Sequence, residues 1–302
     1  MNYFYLNGKF VSPNKANISI MTHAFNYGTA VIEGIRAYWN PVQKQLYVYR
    51  LEDHFRRMQK SCRPLKLALP REIKGMCQLT VELLRKNKVK QSVYIRPICF
   101  QARLGIAAKR AGDSGFAIFL LPLAASTQPP RPLRVLLSSW RRIDSRMIPS
   151  FAKITGTYVN SFLAGQEALQ KGFDEAIMLN LDGTVAEATG MNVFMVKKGR
   201  IYTPPLSVNI LAGITRDSVI RIAKKELKIE PIEKKIKPEE MKSAEEVFLT
   251  GTGSEVIPAG LIDGKKIGRG GTGPITDTLQ SLYRVIVRGE KPRYKGWLTT
   301  VF

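Results

Sequence analysis

The sequence contains little histidine and little cysteine, and each shortage argues against a class of site. Its two histidines, His23 and His54, lie far apart in the chain, so no histidine-rich metal site is expected. Three cysteines, Cys62, Cys77 and Cys99, are too few and too scattered for a disulfide framework. This cysteine usage is typical of a reducing compartment. We therefore expect a cytoplasmic protein that binds no metal.

Long apolar runs are also missing. No run approaches the ~20 residues that a membrane-spanning helix needs. Segment 1–10 has no basic stretch followed by an apolar one, so no signal peptide is expected. The 302 residues are 44% hydrophobic and 24% charged, which is ordinary for a globular protein with a substantial core. The sequence thus predicts no membrane partner.

Acidic residues are scarce relative to basic ones. Lys and Arg number 47 against 24 Asp and Glu, which gives a formal net charge of +23. Such an excess can attract nucleic acid or another polyanion. The basic residues are spread along the whole chain, and the sequence has no C-x-x-C zinc site, aromatic RNA-binding motif or basic heptads. A solvated basic surface is therefore favoured over nucleic-acid binding, and the reason for the charge stays open.

Hydrophobic spacing and turn residues predict alternating helices and hairpins. Asn7-Gly8 predicts a hairpin turn between strands 3–6 and 9–11, and Asp182-Gly183 and Lys198-Gly199 predict two more. The other predicted strands are 92–100, 115–121, 133–139, 193–196 and 247–249. The predicted helices are 51–60, 73–87, 158–170, 214–227 and 275–287.

This pattern indicates an α+β fold with two domains. The strands group in hairpins and lack the regular β-α-β alternation of a dinucleotide fold. Three prolines, Pro129, Pro130 and Pro132, predict a stiff linker. We predict a small domain over residues 1–122, a linker over 123–131 and a large domain over 132–302.

Two segments could carry chemistry. Lys153 is flanked by apolar and small residues, and burial of an amine lowers its pKa, which suits attack on a carbonyl. A lysine whose ammonium merely reaches solvent from a strand end is the alternative. Thr250–Gly253 follows an apolar strand and could present backbone N–H groups to an anion. A plain turn is the alternative there.

Six blocks, in order along the chain, resemble those of a known family. They are Asn26–Arg36 (resembling YGxxxFEGIR), Tyr94–Pro97 (YIRP), Ala152–Tyr158 (the cofactor-lysine segment), Asp182–Phe194 (DG…E…G.N.F), Leu211–Arg216 (LPGITR) and Gly251–Thr252 (SGTA). The chain resembles the branched-chain amino acid aminotransferases, which are fold-type IV (class IV) enzymes that use pyridoxal 5'-phosphate (PLP). The resemblance implies two α/β domains with PLP in the cleft between them.

The resemblance also implies how PLP is bound. Lys153 would form the Schiff base and shuttle the α-proton, Glu187 would pair with the pyridine nitrogen, and Tyr158 would bind the ring hydroxyl. The phosphate would be bound by Arg57, the backbone N–H groups of Ile214 and Thr215, and Thr252.

The family pattern assigns the substrate contacts as well. Tyr94 and the Thr252-Gly253 turn would hold the α-carboxylate. Arg96 with Tyr27, and Arg36 nearby, would take the distal carboxylate of glutamate.

The implied reaction moves the amino group of leucine, isoleucine or valine to 2-oxoglutarate. Relatives of this family are homodimers or trimers of dimers, and loop Leu104–Ala108 would complete the partner's site. Ile32 and Met191 depart from the family motifs, as do Leu123 and Ser126 in place of linker aromatics, and these changes put the substrate range in question. The open alternatives are a D-amino acid or (R)-amine transaminase, a lyase of the aminodeoxychorismate type, and an inactive polyanion-binding protein.

Overall fold

A computed structural model describes residues 1–107, 112–123 and 131–302. Its strands are β1 (Phe4–Leu6), β2 (Lys9–Val11), β3 (Ala30–Ile32), β4 (Ile35–Asn40), β5 (Gln45–Tyr49), β6 (Val93–Gln101), β7 (Ser114–Pro122), β8 (Leu133–Arg141), β9 (Glu175–Leu179), β10 (Val185–Ala188), β11 (Asn192–Lys197), β12 (Arg200–Thr203), β13 (Ile232–Glu233), β14 (Glu246–Gly251), β15 (Glu255–Ile262), β16 (Lys265–Lys266) and β17 (Leu298–Thr300).

The helices are α1 (His23–Tyr27), α2 (Leu51–Cys62), α3 (Ile73–Lys86), α4 (Tyr158–Gln170), α5 (Ile214–Ile222), α6 (Pro238–Lys242) and α7 (Pro274–Val287). Within the described ranges, no helix combines the length and apolar character needed to cross a membrane.

The chain divides into two compact units. Unit 1 comprises Met1–Ser126, Ala152–Gly156 and Val285–Phe302, and unit 2 comprises Thr127–Phe151 and Thr157–Arg284. The division made from the sequence stays a prediction. It differs from the units because it assigned both 152–156 and 285–302 to the large domain and treated 123–131 as a separate linker. Residues 124–130 of the predicted linker lie outside the described residues.

Unit 1 is built on an antiparallel sheet in the order β17-β5-β4-β6-β7-β1-β2, with β3 also paired to β6. Helices α2 and α3 contact each other. Their apolar residues recur three or four positions apart and are fully buried, as the helical spacing predicts. These residues are Phe55, Met58, Met76, Leu79 and Leu83.

Unit 2 is built on a mixed sheet in the order β10-β9-β8-β15-β14-β11-β12-β13, with β16 paired to β15. Strands β8 and β9 are parallel, and α4 connects them as a β-α-β unit. The small residues Ala164 and Ala168 let α4 pack closely on Leu136, Ala176 and Met178 of these strands. Strands and helices are mixed in both units, which confirms the α+β class.

Most elements predicted from the sequence are confirmed, with differences at their ends. Asn7 and Gly8 have φ of 44° and 91°, as the predicted hairpin turn requires. The α-helix that begins at Ile214 ends at Ile222 and continues as a π-helical turn over Ala223–Leu227. Strands β3, β4 and β5 were not predicted from the sequence, and they are short strands separated by tight turns.

Candidate functional site

Lys153 lies in a short extended segment that unit 1 holds by its backbone. The N–H of Ile32, at the end of β3, donates to the carbonyl oxygen of Lys153 over 3.1 Å. Next to this bond, Val31 and Ile154 form an antiparallel bridge. The lysine backbone is therefore fixed against β3, although the residue stands more than a hundred positions later in the chain.

Helix α2 holds the same lysine from a second side. The N–H of Lys153 donates to Ser61 Oγ over 3.1 Å, and Ser61 Oγ donates to the carbonyl oxygen of Arg57 over 2.9 Å. Ser61 is fully buried. One serine thus links the backbones of Lys153 and Arg57, two residues that the sequence analysis assigned to the same cofactor.

Arg57 is part of a buried charge cluster. Its Nε and Nη2 donate to Glu33 Oε1 and Oε2, each over 2.7 Å. His54 Nδ1 contacts Glu33 Oε2 at 2.8 Å. Glu33 is 0% exposed, and the side chain of Arg57 is 11% exposed. Glu33 lies inside one of the family-like blocks but had no predicted role, and His54 was not predicted to be a site residue.

The ionisation of this cluster follows from its burial and its partners. Burial alone would raise the pKa of the Glu33 carboxyl, but the positive charge of Arg57 and the hydrogen bond from His54 outweigh it and hold the pKa well below its usual range. Burial lowers the pKa of His54, with the charges of Arg57 and Arg50 acting in the same direction against the opposing effect of Glu33. Glu33 is therefore a carboxylate, and His54 is neutral with its proton on Nδ1.

The residues assigned to the substrate carboxylates meet on β4 and β6. Arg36 and Tyr94 are cross-strand partners, and Arg96 Nη2 donates to the Tyr94 hydroxyl over 3.0 Å. A Cβ on Gly34 would lie 2.0 Å from the Tyr94 hydroxyl oxygen, so the glycine makes room for this ring. The buried Nε of Arg96 has no acceptor among the described residues. A carboxylate is the ligand that such a donor set fits.

Tyr27, the last residue of α1, lies beside an exposed loop. Its hydroxyl donates to the carbonyl oxygen of Ile106 over 2.9 Å, and its side chain is half-exposed. Ile106 belongs to the loop that the resemblance assigned to a partner's site. Ala108, the end of that predicted loop, lies outside the described residues.

In unit 2, the carboxylate of Glu187 on β10 is held from three directions. Arg142 Nη2 lies 2.9 Å from Oε1. Asn192 Nδ2 and the backbone N–H of Leu211 each donate to Oε2 over 3.0 Å. The ion pair and both hydrogen bonds stabilise the charged form of this nearly buried carboxylate. Arg142 directly follows β8, whose last residues, Ser138–Arg141, show no pattern that would have marked it as a site residue.

The N-terminus of α5 lies next to Asn192. Gly213 is its N-cap and provides no side-chain cap for the first N–H groups, those of Ile214 and Thr215. A Cβ on Gly213 would lie 2.0 Å from Asn192 Oδ1, so only glycine fits. Unit 2 thus places the anion-binding end of a helix next to the residue that holds Glu187.

The remaining predicted site residues of unit 2 lie at element ends. Tyr158 is the first residue of α4, and Thr252 and Gly253 form the turn between β14 and β15. Thr250, just before that turn, has a buried Oγ1 with no partner among the described residues. The binding roles of these residues stay predictions, because each unit contains only some of the residues that were predicted to bind the cofactor and substrate.

Comparisons with known proteins match the chain along its length. The family model described as "Amino-transferase class IV" matches residues 30–262. A probable branched-chain-amino-acid aminotransferase of Aquifex aeolicus (strain VF5) is 45% identical over 303 residues, which cover 100% of this chain and 97% of the relative.

Solved structures of branched-chain aminotransferases also match the chain over nearly its whole length. A branched-chain aminotransferase from the archaeon Thermoproteus uzoniensis, crystallised with norvaline, is 40% identical and matches with a TM-score of 0.94 over 99% of both chains. The branched-chain amino acid aminotransferase of Thermobaculum terrenum, crystallised in its PLP form, is 36% identical. It matches with a TM-score of 0.95 over 100% of this chain and 98% of the other.

Proposed function

Because the chain belongs to the class IV aminotransferases, and within them to the branched-chain amino acid aminotransferases, we propose that it transfers amino groups from L-leucine, L-isoleucine and L-valine to 2-oxoglutarate, with PLP as its cofactor. The products are the branched-chain 2-oxo acids and L-glutamate. The observation that carries the proposal is the anchoring of Lys153 to Arg57 through Ser61. This hydrogen-bonded link holds together Lys153, which provides the amine, and Arg57, which binds the phosphate.

The residues present fit PLP. The cofactor needs an amine, an anion beside its ring nitrogen and N–H donors for its phosphate. Unit 1 provides Lys153 and Arg57. Unit 2 provides Glu187, whose charge is supported by an arginine at 2.9 Å, and the N-terminus of α5, where the N-cap is a glycine. The buried Oγ1 of Thr250, unpartnered within the described residues, is a further polar contact for a ligand.

When bound, PLP supplies an electron sink that stabilises the negative charge left on the substrate Cα. Lys153 Nζ would take the proton from the Cα of the amino donor and, in the second half of the reaction, would deliver a proton to the Cα that comes from the 2-oxo acid. Glu187, paired with Arg142 at 2.9 Å, would hold the proton on the ring nitrogen. Tyr158 would donate from its hydroxyl to the ring oxygen and so orient the ring.

Dual specificity rests on Arg96. Leucine presents an apolar side chain and glutamate a carboxylate, so one pocket must accept both. The guanidinium of Arg96 packs over the Tyr94 ring at 5.2 Å, so it offers both an apolar face and N–H donors. Tyr94 then serves the α-carboxylate of either substrate, and Arg96 and Tyr27 serve only the distal carboxylate of glutamate.

We also propose that the protein is a homo-oligomer in the cytoplasm. Unit 1 exposes a group of large apolar side chains on residues 18–25 and on the loop after β6, and surfaces of this kind mark protein contacts. They are Ile18, Ile20, Met21, Phe25, Leu104 and Ile106. The two segments are joined by the Thr22–Leu104 bridge and by the bond from the Gly105 N–H to the Met21 carbonyl oxygen. Free cysteines fit a reducing compartment.

The test mixes PLP-loaded protein with single amino donors and follows the absorbance of the bound cofactor. Fast conversion with both L-leucine and L-glutamate is expected. Conversion chiefly with D-alanine or (R)-1-phenylethylamine would move the function to the D-amino acid or (R)-amine alternative. Lys153→Ala should abolish turnover, while Lys171→Ala, at an exposed ion pair on the surface, should not. Sedimentation of Ile106→Asp tests the oligomer, which this change should dissociate.

A further inference from the structure

Glu33 is a carboxylate that is fully shielded from bulk solvent. It lies between β3 and β4 and is 0% exposed. His54 and Arg57 stand three residues apart on α2, so they face it from the same side of the helix. The cluster therefore joins the β3–β4 connection to the helix that carries the phosphate-binding residue.

Four donors converge on this one carboxylate. Arg57 approaches as a fork, with Nε and Nη2 each 2.7 Å from a different oxygen. His54 Nδ1 lies 2.8 Å from Oε2, and the N–H of Gly34 lies 3.3 Å from the same oxygen. A bidentate pair fixes the plane of the guanidinium as well as its position.

A buried charge cluster of this kind contributes little to the free energy of unfolding. Desolvation of two charges costs about as much as their attraction returns, and apolar side chains of the same volume often stabilise a core as well or better. A buried ion pair whose donors are all engaged does, however, fix the orientation of its side chains. The orientation fixed here is that of the Arg57 guanidinium.

We propose that Glu33 and His54 are positioning residues that hold Arg57 in the orientation needed to bind the cofactor phosphate. This inference rests on the proposed function, because that function makes Arg57 a phosphate ligand. The pair with Glu33 uses the Nε–Nη2 edge, so the phosphate approaches the guanidinium from another edge. An Arg57 without Glu33 would sample several rotamers and would lose entropy on binding the phosphate.

The neutral state of His54 suits this role. A neutral imidazole donates its Nδ1–H to Glu33 without adding a cation that would compete with Arg57 for the carboxylate. The other charged groups near it are Arg50, which pairs with Asp53, and Arg57 itself. Both are positive, and together with burial they keep the ring neutral against the effect of Glu33.

The experiment compares the affinities of the apoenzyme for PLP and for pyridoxal, which lacks the phosphate. The ratio of the two dissociation constants isolates the phosphate contribution. Glu33→Gln should lower the PLP preference about tenfold or more, a typical effect of losing a supporting contact behind a ligand-binding residue. Its affinity for pyridoxal should stay within about threefold of wild type. Glu52→Gln, on the exposed face of the same helix and paired with Arg56, is the matched control and should leave both affinities unchanged.

A second pair of variants keeps the test valid if Glu33→Gln fails to fold. His54→Asn keeps an N–H donor near the position of Nδ1 and should retain most of the PLP preference, whereas His54→Leu removes the donor and should lose it. A merely structural role would weaken PLP and pyridoxal binding equally. An unchanged ratio in Glu33→Gln, or in His54→Leu if the former does not fold, would overturn the inference. Failure of the proposed cofactor would show differently, as a wild-type protein without any preference for PLP.

Discussion

The amide nitrogen of Gly156 lies 3.0 Å from the carbonyl oxygen of Gly28, and the two backbones touch. A Cβ on Gly28 would lie 2.7 Å from the Cα of Gly156. Gly28 also ends α1 with a left-handed φ of 63°. Thr155 Oγ1 adds a hydrogen bond of 2.8 Å to the same carbonyl oxygen. The segment that carries Lys153 is thus docked on a site that only glycine can form.

The first prediction concerns this contact. Gly28→Ala should destabilise the protein by about 2–4 kcal/mol, because the new methyl meets backbone atoms that cannot rotate away. It should also displace Lys153 and lower turnover. Gly8→Ala is the control, since its φ of 91° is strained but nothing lies within 4 Å of the new methyl. Chemical denaturation measures both, and equal losses of stability would contradict the role of the close approach.

The second prediction concerns Arg142. Arg142→Ala should lower kcat about tenfold to a hundredfold, because Glu187 loses its ion-pair partner at 2.9 Å. The absorbance of bound PLP should also become more sensitive to pH. The neighbouring exposed Arg141→Ala serves as control and should behave as wild type. Wild-type kinetics in Arg142→Ala would show that the hydrogen bonds from Asn192 and Leu211 are sufficient to hold Glu187 in place.

The third prediction separates the two substrates. Arg96→Gln should reduce kcat/KM for L-glutamate about a hundredfold, since loss of a charge-assisted carboxylate contact costs about 3 kcal/mol. The value for L-leucine should change only a few-fold, because leucine has no distal carboxylate. Single-turnover rates with each donor measure this, and leucine is the internal reference. Equal losses with both donors would move Arg96 to the α-carboxylate.

The fourth prediction concerns pH. The pKa of Glu33 is depressed in the folded protein from a reference of 4.5, so its contribution to stability is present above that pH and disappears as pH falls towards the folded value. Glu33→Gln resembles the protonated form. The stability gap between wild type and variant should therefore be constant near neutrality and should narrow below about pH 4.5. Urea melts across this range test it, and a gap that widens on acidification would refute it.

The fifth prediction concerns a lysine in an unusual conformation. Lys88 follows α3 with a φ of 49°, and the N–H of Val89 bonds the carbonyl oxygen of Leu84 over 3.3 Å, as in a Schellman motif. Because a side chain is unfavourable at such a φ, Lys88→Gly should stabilise the protein by up to about 1 kcal/mol. Lys90→Gly, close by but without a positive φ, should instead destabilise it slightly. Thermal unfolding distinguishes the two directions.

Local rules account for most of the elements that the sequence predicts correctly. Asn7-Gly8 and Lys198-Gly199 specify their turns through positive φ values, and the spacing in 51–60 and 73–87 specifies α2 and α3. These features depend on residues within a few positions of each other. The predicted helix 214–227 likewise begins directly after Gly213, and its last turn, Ala223–Leu227, is π-helical.

What the sequence could not show depends on contacts between distant segments. Strand β3 is defined by pairing with β6 and by the Lys153 segment, and its three residues carry no pattern of their own. Glu33 was recognised only as part of a block, because its partners lie on a helix that comes later in the chain. Arg142 was missed because the carboxylate that it contacts, Glu187, lies on a strand much later in the chain. Residue types indicate the chemistry, whereas the supporting contacts form only when distant segments of the chain fold together.

The composition of unit 1 from three chain segments has a consequence for biosynthesis. Strand β17 pairs with β5, so that Thr300 lies opposite Tyr47, and Val301 is fully buried. A nascent chain leaves the ribosome from its N-terminus. The edge of β5 that pairs with β17 therefore stays unpaired while unit 2 is synthesised. Closure of that edge comes only with residues 298–300. We expect folding of unit 1 to be completed only after unit 2 has been synthesised, and the unfinished edge to be a site where chaperones act or where nascent chains associate.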